Sequence, residues 1–305
     1  MSGSIDHSSN HPSEVESENT AFNPNDFNPD GEELAFLKSQ TGIDNEDALR
    51  DHCFKVQASA YEVFPYNCIR RFNFIRLKIA RLPAYPHLLE LGKERKGAIL
   101  LDIGCCFGND VRKAVLDGYP VDNIIASDIQ PEFWQLGHEF FRSAQGTFPV
   151  PFIPGDAFDQ DFLKRSSPVY DTPETPIPDL QALTTLTPLL GHVSAIHASA
   201  FFHLFSEEEQ YKLAQSLAGL LSPKPGSMIF GAHSGREVPG LRTEFAPKEP
   251  GKYMFCHSPE SWAELWDGKI FRKNSVKVEV LLISSDRAAK ASHVVPQMHW
   301  SVTRL

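Results

Sequence analysis

The most constraining feature of this sequence is a short apolar run that leads directly into a glycine-rich turn. Residues 98–103 read Ala-Ile-Leu-Leu-Asp-Ile, and Gly104 and Gly108 follow at once. A bounded apolar run of this length predicts a buried strand, and residues 111–116 are predicted as the helix after the turn. Glycine permits a tight turn and close approach of the backbone to a ligand. In doubly wound α/β sheets, this first strand-to-helix turn is where nucleotides bind.

Acidic residues stand at the ends of three successive predicted strands: Asp102, Asp128 and Asp156. The carboxyl ends of parallel strands meet at one edge of a sheet, and ligands bind there. Asp102 can meet an ammonium group, and Asp128 can accept both hydroxyls of an adenosine ribose. Asp156 can accept the adenine amine, with Ala157 as a flat apolar neighbour of the ring. The pattern therefore indicates a ligand that contains adenosine.

Strands alternate with helices along most of the remaining chain, which predicts parallel strands joined by right-handed crossovers. Further strands are predicted at residues 123–128, 152–156, 192–197 and 227–233, and helices at 131–141 and 206–221. Residues 276–283 and 298–303 are expected to close the sheet as an antiparallel pair at its edge. The predicted fold class is α/β, with a mostly parallel seven-stranded sheet, helices on both faces and an N-terminal helical extension.

The composition changes along the chain and divides it into three parts. Residues 1–30 are rich in Ser, Asn, Asp, Glu and Pro, and we expect a disordered tail because they can bury almost nothing. Residues 31–90 are expected to form a helical cap, and residues 91–305 to form the ligand-binding domain. Proline-rich segments near 164–191 and 235–262 are expected to be loops that contact the substrate.

Within the cap, residues 66–82 place Ile69, Phe72, Arg76 and Ile79 at spacings of three and four. This spacing predicts one amphipathic helix with a basic face. Such a helix either packs beside the sheet or lies on a membrane surface. Packing is favoured, because a mixed basic face is usually just a solvated surface.

The charge and cysteine content exclude several classes of partner. Acidic residues number 39 against 29 Lys and Arg, which disfavours a nucleic-acid partner. The five cysteines form neither a CxxC pair nor a Cys/His metal spacing, so we expect free thiols and no metal. Residues 1–20 lack a signal-peptide pattern, and no apolar run is long enough for a membrane helix. We therefore expect a cytoplasmic protein without stable membrane insertion.

The turn resembles the first motif of the class I methyltransferases that use S-adenosylmethionine (SAM), which reads acid-x-Gly-x-Gly-x-Gly. Here it reads Asp102-Ile-Gly104-Cys-Cys106-Phe-Gly108, with Cys106 in place of the middle glycine. The dinucleotide pattern G-x-G-x-x-G fits worse, because Cys106 and Asn109 would occupy two of its glycine positions. A purely structural turn, with the acids as caps or surface groups, is the other alternative.

The resemblance implies a Rossmann-like class I methyltransferase fold with SAM as the cofactor. The residues expected to bind the cofactor are Asp102, Gly104, Cys105, Gly108, Asp128, Ile129, Asp156, Ala157 and His197.

A narrower resemblance covers nearly the whole chain after residue 30. The segments that carry it are residues 66–72, 102–110, 196–205 and 257–266. They are similar to fungal methyltransferases of meroterpenoid biosynthesis, which resemble carboxyl O-methyltransferases acting on farnesylated aromatic polyketide acids. The resemblance implies a small acidic prenylated aromatic substrate, methyl-ester formation and a homodimer. A phenol O-methyltransferase, a non-catalytic scaffold with this fold and an NAD-dependent oxidoreductase are the alternatives.

The two methyl acceptors differ in the chemistry they require. A carboxylic acid of pKa about 4 is already ionised at neutral pH and needs no general base, whereas a phenol of pKa about 10 does. His197 and His203 are candidates to orient the substrate or to act as a base, and His197 is also expected to contact the cofactor. Arg236 is a candidate to pair with a substrate carboxylate, because the guanidinium group can donate two parallel hydrogen bonds to the two carboxylate oxygens.

Overall fold

A seven-stranded sheet forms the centre of the computed structural model, which describes residues 23–243, 253–283 and 296–305. Its strands run in the order β3-β2-β1-β4-β5-β9-β8. Their bounds are β1 (Ile99–Ile103), β2 (Ile124–Asp128), β3 (Phe152–Pro154), β4 (Val193–His197), β5 (Met228–Ser234), β8 (Val276–Ile283) and β9 (Gln297–Arg304). Two short strands, β6 (Gly240–Leu241) and β7 (Phe255–Cys256), pair separately.

Five neighbouring strands, from β3 to β5, are parallel, and β9 is antiparallel to both β5 and β8. The predicted antiparallel pair is therefore confirmed, with β8 as the outermost strand. The register pairs Asp102 of β1 with His197 of β4. This pairing brings two predicted site residues side by side at the carboxyl edge.

Helices cover both faces of the sheet, as the alternation predicted. Their bounds are α1 (Gly31–Thr41), α2 (Glu46–Val63), α3 (Asn67–Arg70), α4 (Tyr85–Glu94), α5 (Asn109–Leu116), α6 (Pro131–Phe140), α7 (Glu207–Leu220) and α8 (Pro259–Trp266). Apolar residues of α4, α5 and α6 pack on one face of the sheet, and those of α7 and α8 on the other. A capping box formed by Ser206 and Glu209 begins α7.

The N-terminal helices form a third apolar cluster against the outer side of α6. Apolar residues of α1 and α2 pack there with Phe107, Phe133 and Phe140. His52 of α2 stacks on the Phe140 ring, and its Nε2 lies 2.8 Å from the Phe140 carbonyl oxygen. The cap is therefore fixed to the elements that follow the first two strands.

The single helix predicted for residues 66–82 is wrong. The segment contains α3 and two short 3-10 turns, and Phe72 has a left-handed φ of 54°. Phe72, Phe74, Leu77 and Ile79 are all buried, so the segment is enclosed on more than one side. One helical stripe cannot provide this burial. We call residues 71–79 the strap.

The expected tail boundary at residue 30 also differs from the structure. Pro24–Asp26 form a 3-10 turn, and the Phe27 ring packs against Phe54 and Phe72. Asp30 caps α1 in a capping box with Glu33. Residues 1–22 of the predicted tail lie outside the described residues.

The segment at 164–191 is not where a substrate loop would have to be. Ile177 and Asp179 line a shallow cleft with Gly97 and Asn123, which precede β1 and β2. Arg304, whose amide donates to the carbonyl oxygen of Ser227 just before β5, donates from its side chain to the carbonyl oxygen of Val169. These contacts place residues 169–179 at the amino edge of the sheet, opposite the predicted site. This expectation therefore fails, because proline content predicts an irregular loop but not the edge that it crosses.

The segment at 235–262 follows β5 and so begins at the carboxyl edge. The Arg236 amide donates to the His257 carbonyl oxygen at 3.0 Å, and the Phe255 amide to that of Phe205 at 3.4 Å. Residues 244–252 of this predicted substrate loop lie outside the described residues.

Among the helices that the structure does describe, none has the length and apolar character needed to span a bilayer.

A buried ion pair fastens the strap to α1. Glu33 is 1% exposed, and its carboxylate lies 2.7 Å from Arg76 and 3.4 Å from Arg81. Removing one partner of a buried pair is strongly destabilising, because it leaves the other charge without compensation.

We predict that Arg76→Leu lowers the free energy of unfolding by about 3 kcal/mol, measured by urea denaturation. Lys38→Met is the matched control, since it breaks the Lys38–Glu46 pair, whose side chains are 28% and 65% exposed. This control should change stability by less than about 1 kcal/mol. Equal losses in the two variants would contradict the assigned role of the pair.

Candidate cofactor-binding and active site

The turn after β1 is built from three residues with left-handed backbone conformations. The φ angles are 74° at Gly104, 52° at Cys106 and 71° at Gly108. A Cβ at Gly104 would lie 3.0 Å from the Phe201 ring, and one at Gly108 would lie 2.5 Å from the Trp134 ring. Both outer glycines are therefore required by conformation and by space. Cys106 also adopts a left-handed conformation, which is strained for a residue other than glycine.

The end of β2 holds this turn in place. The amides of Gly104 and Cys105 both donate to the Ser127 carbonyl oxygen, at 2.8 and 3.1 Å. The Cys106 amide donates to Asp128 Oδ2 at 2.9 Å, and the Gln130 amide to Asp128 Oδ1 at 3.0 Å. A carboxylate has about four acceptor positions, so each oxygen can still accept a further hydrogen bond. Burial raises the pKa of Asp128, as expected for a half-buried carboxyl group.

Asp102, His197 and Ser199 form a buried hydrogen-bonded chain. Asp102 Oδ1 lies 2.8 Å from His197 Nδ1, and His197 Nε2 lies 2.7 Å from Ser199 Oγ. Burial lowers the pKa of His197, but the charge and hydrogen bond of Asp102 outweigh it and leave the pKa above its usual value. Both ring nitrogens of His197 therefore have a polar partner within the protein. Because both are engaged, His197 acts on a ligand through its backbone or through Asp102, not through its ring.

Asp102, His197 and Ser199 are the residue types of a hydrolase catalytic triad, but Ser199 is not placed to act as a nucleophile. Ser199 Oγ also accepts the Ala232 amide at 3.1 Å, and Ser199 is 9% exposed. A buried hydroxyl that contacts both the His197 ring and the Ala232 amide is not exposed to a substrate. Asp102, in contrast, keeps its second oxygen available at the carboxyl edge.

The other histidines near this edge are neutral. Burial, with a smaller contribution from Arg242, lowers the pKa of His203 to about 4. Burial also lowers the pKa of His257 to about 4 and that of His233 well below its usual value. Trp300 Nε1 donates to His233 Nδ1 at 2.9 Å, which assigns that ring a structural role.

The remaining predicted site residues lie at the same edge with different exposures. Asp156 is exposed, and its Oδ1 accepts the Phe158 amide at 2.9 Å. Ala157 is buried, and Ile129, directly after Asp128, is 53% exposed. The Gly155 amide donates to the Asp128 carbonyl oxygen at 3.1 Å, which joins the ends of β2 and β3. Exposed Ile129 and Asp156 thus flank the Asp128 carboxylate.

Arg236 lies in the turn after β5, half-buried, and its Nη1 donates to the Leu241 carbonyl oxygen at 3.3 Å. Trp262 and Trp266, at the end of the predicted substrate segment, are 0% exposed and belong to the core beneath α8. Phe201 is half-buried beside Gly104. Of these aromatic residues, Phe201 contacts the turn.

Two site residues were missed from the sequence. Burial, followed by the charges of Asp128, Cys68 and Cys106, raises the pKa of Tyr66 to about 12, so its hydroxyl stays protonated beside the turn. Lys78 lies in the strap, half-buried, close to the same turn. Tyr66 begins a segment that carries the family resemblance, but no chemical motif assigns a role to Tyr66 or Lys78, because both reach the edge through the irregular path of the cap.

The residues at this edge fit SAM. The turn presents backbone without long side chains, Asp128 can accept the ribose hydroxyls, and the free oxygen of Asp102 can meet an ammonium group. Acids also suit a ligand that carries a sulfonium charge. Across the residues described, no group of three or more His, Cys, Asp or Glu side chains is arranged to hold a metal ion. Sheet order, turn and acids together define a class I methyltransferase.

Sequence similarity identifies the family. The profile described as "Meroterpenoid methyltransferase N-terminal domain" matches residues 22–75. Methyltransferase adrK of Penicillium roqueforti is 30% identical over 257 residues, which cover 84% of this chain and 82% of the relative. Methyltransferase ausD of Penicillium brasilianum is 32% identical, covering 77% and 74%. The asnovolin E/chermesin D methyltransferase nvfJ of Aspergillus novofumigatus is 33% identical, covering 76% and 73%.

The chain belongs to the fungal meroterpenoid methyltransferases and is a SAM-dependent enzyme. The oxidoreductase alternative is thereby excluded. A solved structure similar in fold is the Burkholderia thailandensis 1,6-didemethyltoxoflavin-N1-methyltransferase. The two are 11% identical with a TM-score of 0.48, and the match covers 82% of this chain and 88% of that one.

We predict that Asp128→Ala weakens SAM binding by about 1–3 kcal/mol, because it removes charged hydrogen-bond acceptors for the ribose and releases the Cys106 amide. Titration calorimetry measures the loss. Asp122→Ala, which removes an exposed acid before β2, is the matched control and should bind SAM as the wild type does. Unchanged affinity in a folded Asp128→Ala variant would refute the assigned position of the ribose.

Proposed function

We propose that this enzyme transfers the methyl group of SAM to the carboxylate of a small prenylated aromatic acid and so makes a methyl ester. SAM supplies an activated methyl group on sulfur. The observation that carries the proposal is that neither candidate histidine is available as a general base for a phenol. A carboxylate needs no base, because it is already ionised at neutral pH.

The argument against a base at His197 rests on its hydrogen bonds. Asp102 and Ser199 occupy both ring nitrogens, so neither nitrogen is available to accept a proton from a substrate. The argument against His203 rests on its basicity. A pKa of about 4 lies far below the roughly 10 of a phenol, so proton transfer between them is strongly unfavourable.

The protein's own residues would then work by binding, orientation and exclusion of water. Asp102 and Asp128 fix the two ends of the methyl donor on either side of the turn. Correct alignment of a nucleophile with its target can provide about 7–11 kcal/mol of the barrier reduction. Phe201, beside Gly104, would limit water access to the transferring methyl group.

The name of one relative supports the substrate class. The Aspergillus novofumigatus protein is an asnovolin E/chermesin D methyltransferase, which acts on small molecules. Arg236 remains a candidate partner for the substrate carboxylate.

We also propose that the enzyme is a cytoplasmic homodimer. Cys53, Cys105 and Cys106 form no disulfide bond, which suits a reducing compartment.

A single probe with both nucleophiles tests the proposal. We predict that 3-farnesyl-4-hydroxybenzoic acid, which carries a carboxylate and a phenol, gives an alkali-labile methyl ester detected by mass spectrometry. With saturating SAM, the rate should stay nearly flat from about pH 6 to 9. An alkali-stable methyl ether, with a rate that rises about tenfold per pH unit, would establish the phenol instead.

We further predict that His203→Gln lowers kcat less than about tenfold and leaves the pH profile unchanged. Loss of a general base reduces the rate by about 100- to 10,000-fold, so the two roles separate clearly. Product formation under saturating SAM measures the effect. A larger loss, together with a new pH dependence, would identify His203 as a base and contradict the proposed mechanism.

A further inference from the structure

Lys78 is a half-buried cation of the strap, and its charge has no protein partner in the described part of the chain, whereas Arg71 at the start of the strap is exposed. Two nearby cations are paired, because Arg76 of the strap and Arg81, just after it, both contact Glu33. Lys78 is half-buried, and none of the described residues accepts a hydrogen bond from its ammonium group or forms an ion pair with it. A half-buried ammonium group without a partner is unfavourable unless a ligand or water satisfies it.

The backbone of Lys78 is fixed directly over the start of α5. Asn109 Nδ2 donates to the Arg76 carbonyl oxygen at 2.6 Å, and the Ile79 amide donates to Asp110 Oδ1 at 3.0 Å. Asn109 and Asp110 are the first two residues after the glycine turn. Lys78 lies between these two attachment points. The strap thus holds its side chain against the turn.

The charge of Lys78 changes the pKa values of residues at the turn and after β4. It opposes the burial that raises the pKa of Cys106 and of Asp110. It also adds to the burial and the Arg242 charge that lower the pKa of His203. These residues surround the place where the aminoacyl part of SAM would lie.

We propose that the Lys78 ammonium group binds the aminoacyl carboxylate of SAM. The inference rests on the proposed methyl-transfer function, because it assumes that SAM is held at the turn. An amino acid carries opposite charges on one carbon atom, so its receptors must be an acid and a base side by side. Asp102 supplies a free oxygen for the ammonium group, and Lys78 supplies the cation for the carboxylate.

The electrostatics of this edge make such a cation necessary. Asp102, Asp110 and Asp128 all lie near the turn, and they would repel a carboxylate placed among them. The charge of His197 is already compensated by Asp102. Arg76 and Arg112 are engaged elsewhere, with Glu33 and with Ser143. Within the described residues, Lys78 is therefore a cation near the turn that no acidic side chain of the protein already neutralises.

Two ligands that differ by one group test the proposal. SAM carries the carboxylate, and decarboxylated SAM lacks it but keeps the ammonium, sulfonium and adenosine groups. We predict that Lys78→Met weakens SAM binding at least about tenfold in titration calorimetry, since a charge-assisted hydrogen bond is lost. The affinity for decarboxylated SAM should change less than about twofold. Lys78→Arg should retain much of the SAM affinity.

Lys93→Met, which removes an exposed lysine of α4, is the matched control and should bind both ligands as the wild type does. Thermal denaturation checks that Lys78→Met folds. Equal losses for the two ligands would overturn the proposal and assign Lys78 a structural role. Unchanged SAM affinity would also overturn the proposal. If only the KM of the acid substrate rose, Lys78 would be assigned to substrate binding instead of SAM binding. Failure of the wild type to bind SAM would refute the proposed function, and this inference with it.

Discussion

The hydrogen bonds between the end of β2 and the turn after β1 are the constraint on which the site depends. The Ser127 carbonyl oxygen and the Asp128 carboxylate together hold the amides of Gly104, Cys105 and Cys106. These hydrogen bonds offset the backbone strain of a turn with three left-handed residues, which would otherwise not keep one conformation. We propose that the same carboxylate binds the ribose of SAM. Folding of the turn and binding of the cofactor would then use one side chain.

The N-terminal cap completes this site instead of standing apart from it. Its strap is fastened on one side to Glu33 of α1 and on the other to Asn109 and Asp110 of α5. Tyr66 and Lys78 reach the carboxyl edge from this segment. The sheet alone provides acids, which suit the positive groups of SAM. The cap adds the cation and the hydroxyl group that the sheet lacks.

The positions of the parallel strands and the acids at their ends could be predicted from the sequence, because these strands are short apolar runs ended by turn residues. The strap could not, since Ile69, Phe72 and Ile79 have helical spacing although Phe74 and Leu77 are buried as well. When a segment is buried on several sides, its apolar residues no longer follow the regular spacing on which such predictions depend. The Asp102–His197 pair was also missed, because it requires the pairing of β1 with β4, two strands far apart in sequence.

A crystal structure of the protein with S-adenosylhomocysteine tests the central claim most directly. The account predicts the nucleoside over residues 104–108, with both ribose hydroxyls within hydrogen-bond distance of Asp128 and the turn unchanged. A nucleoside bound elsewhere, or a turn whose Cys106 amide no longer contacts Asp128, would contradict it.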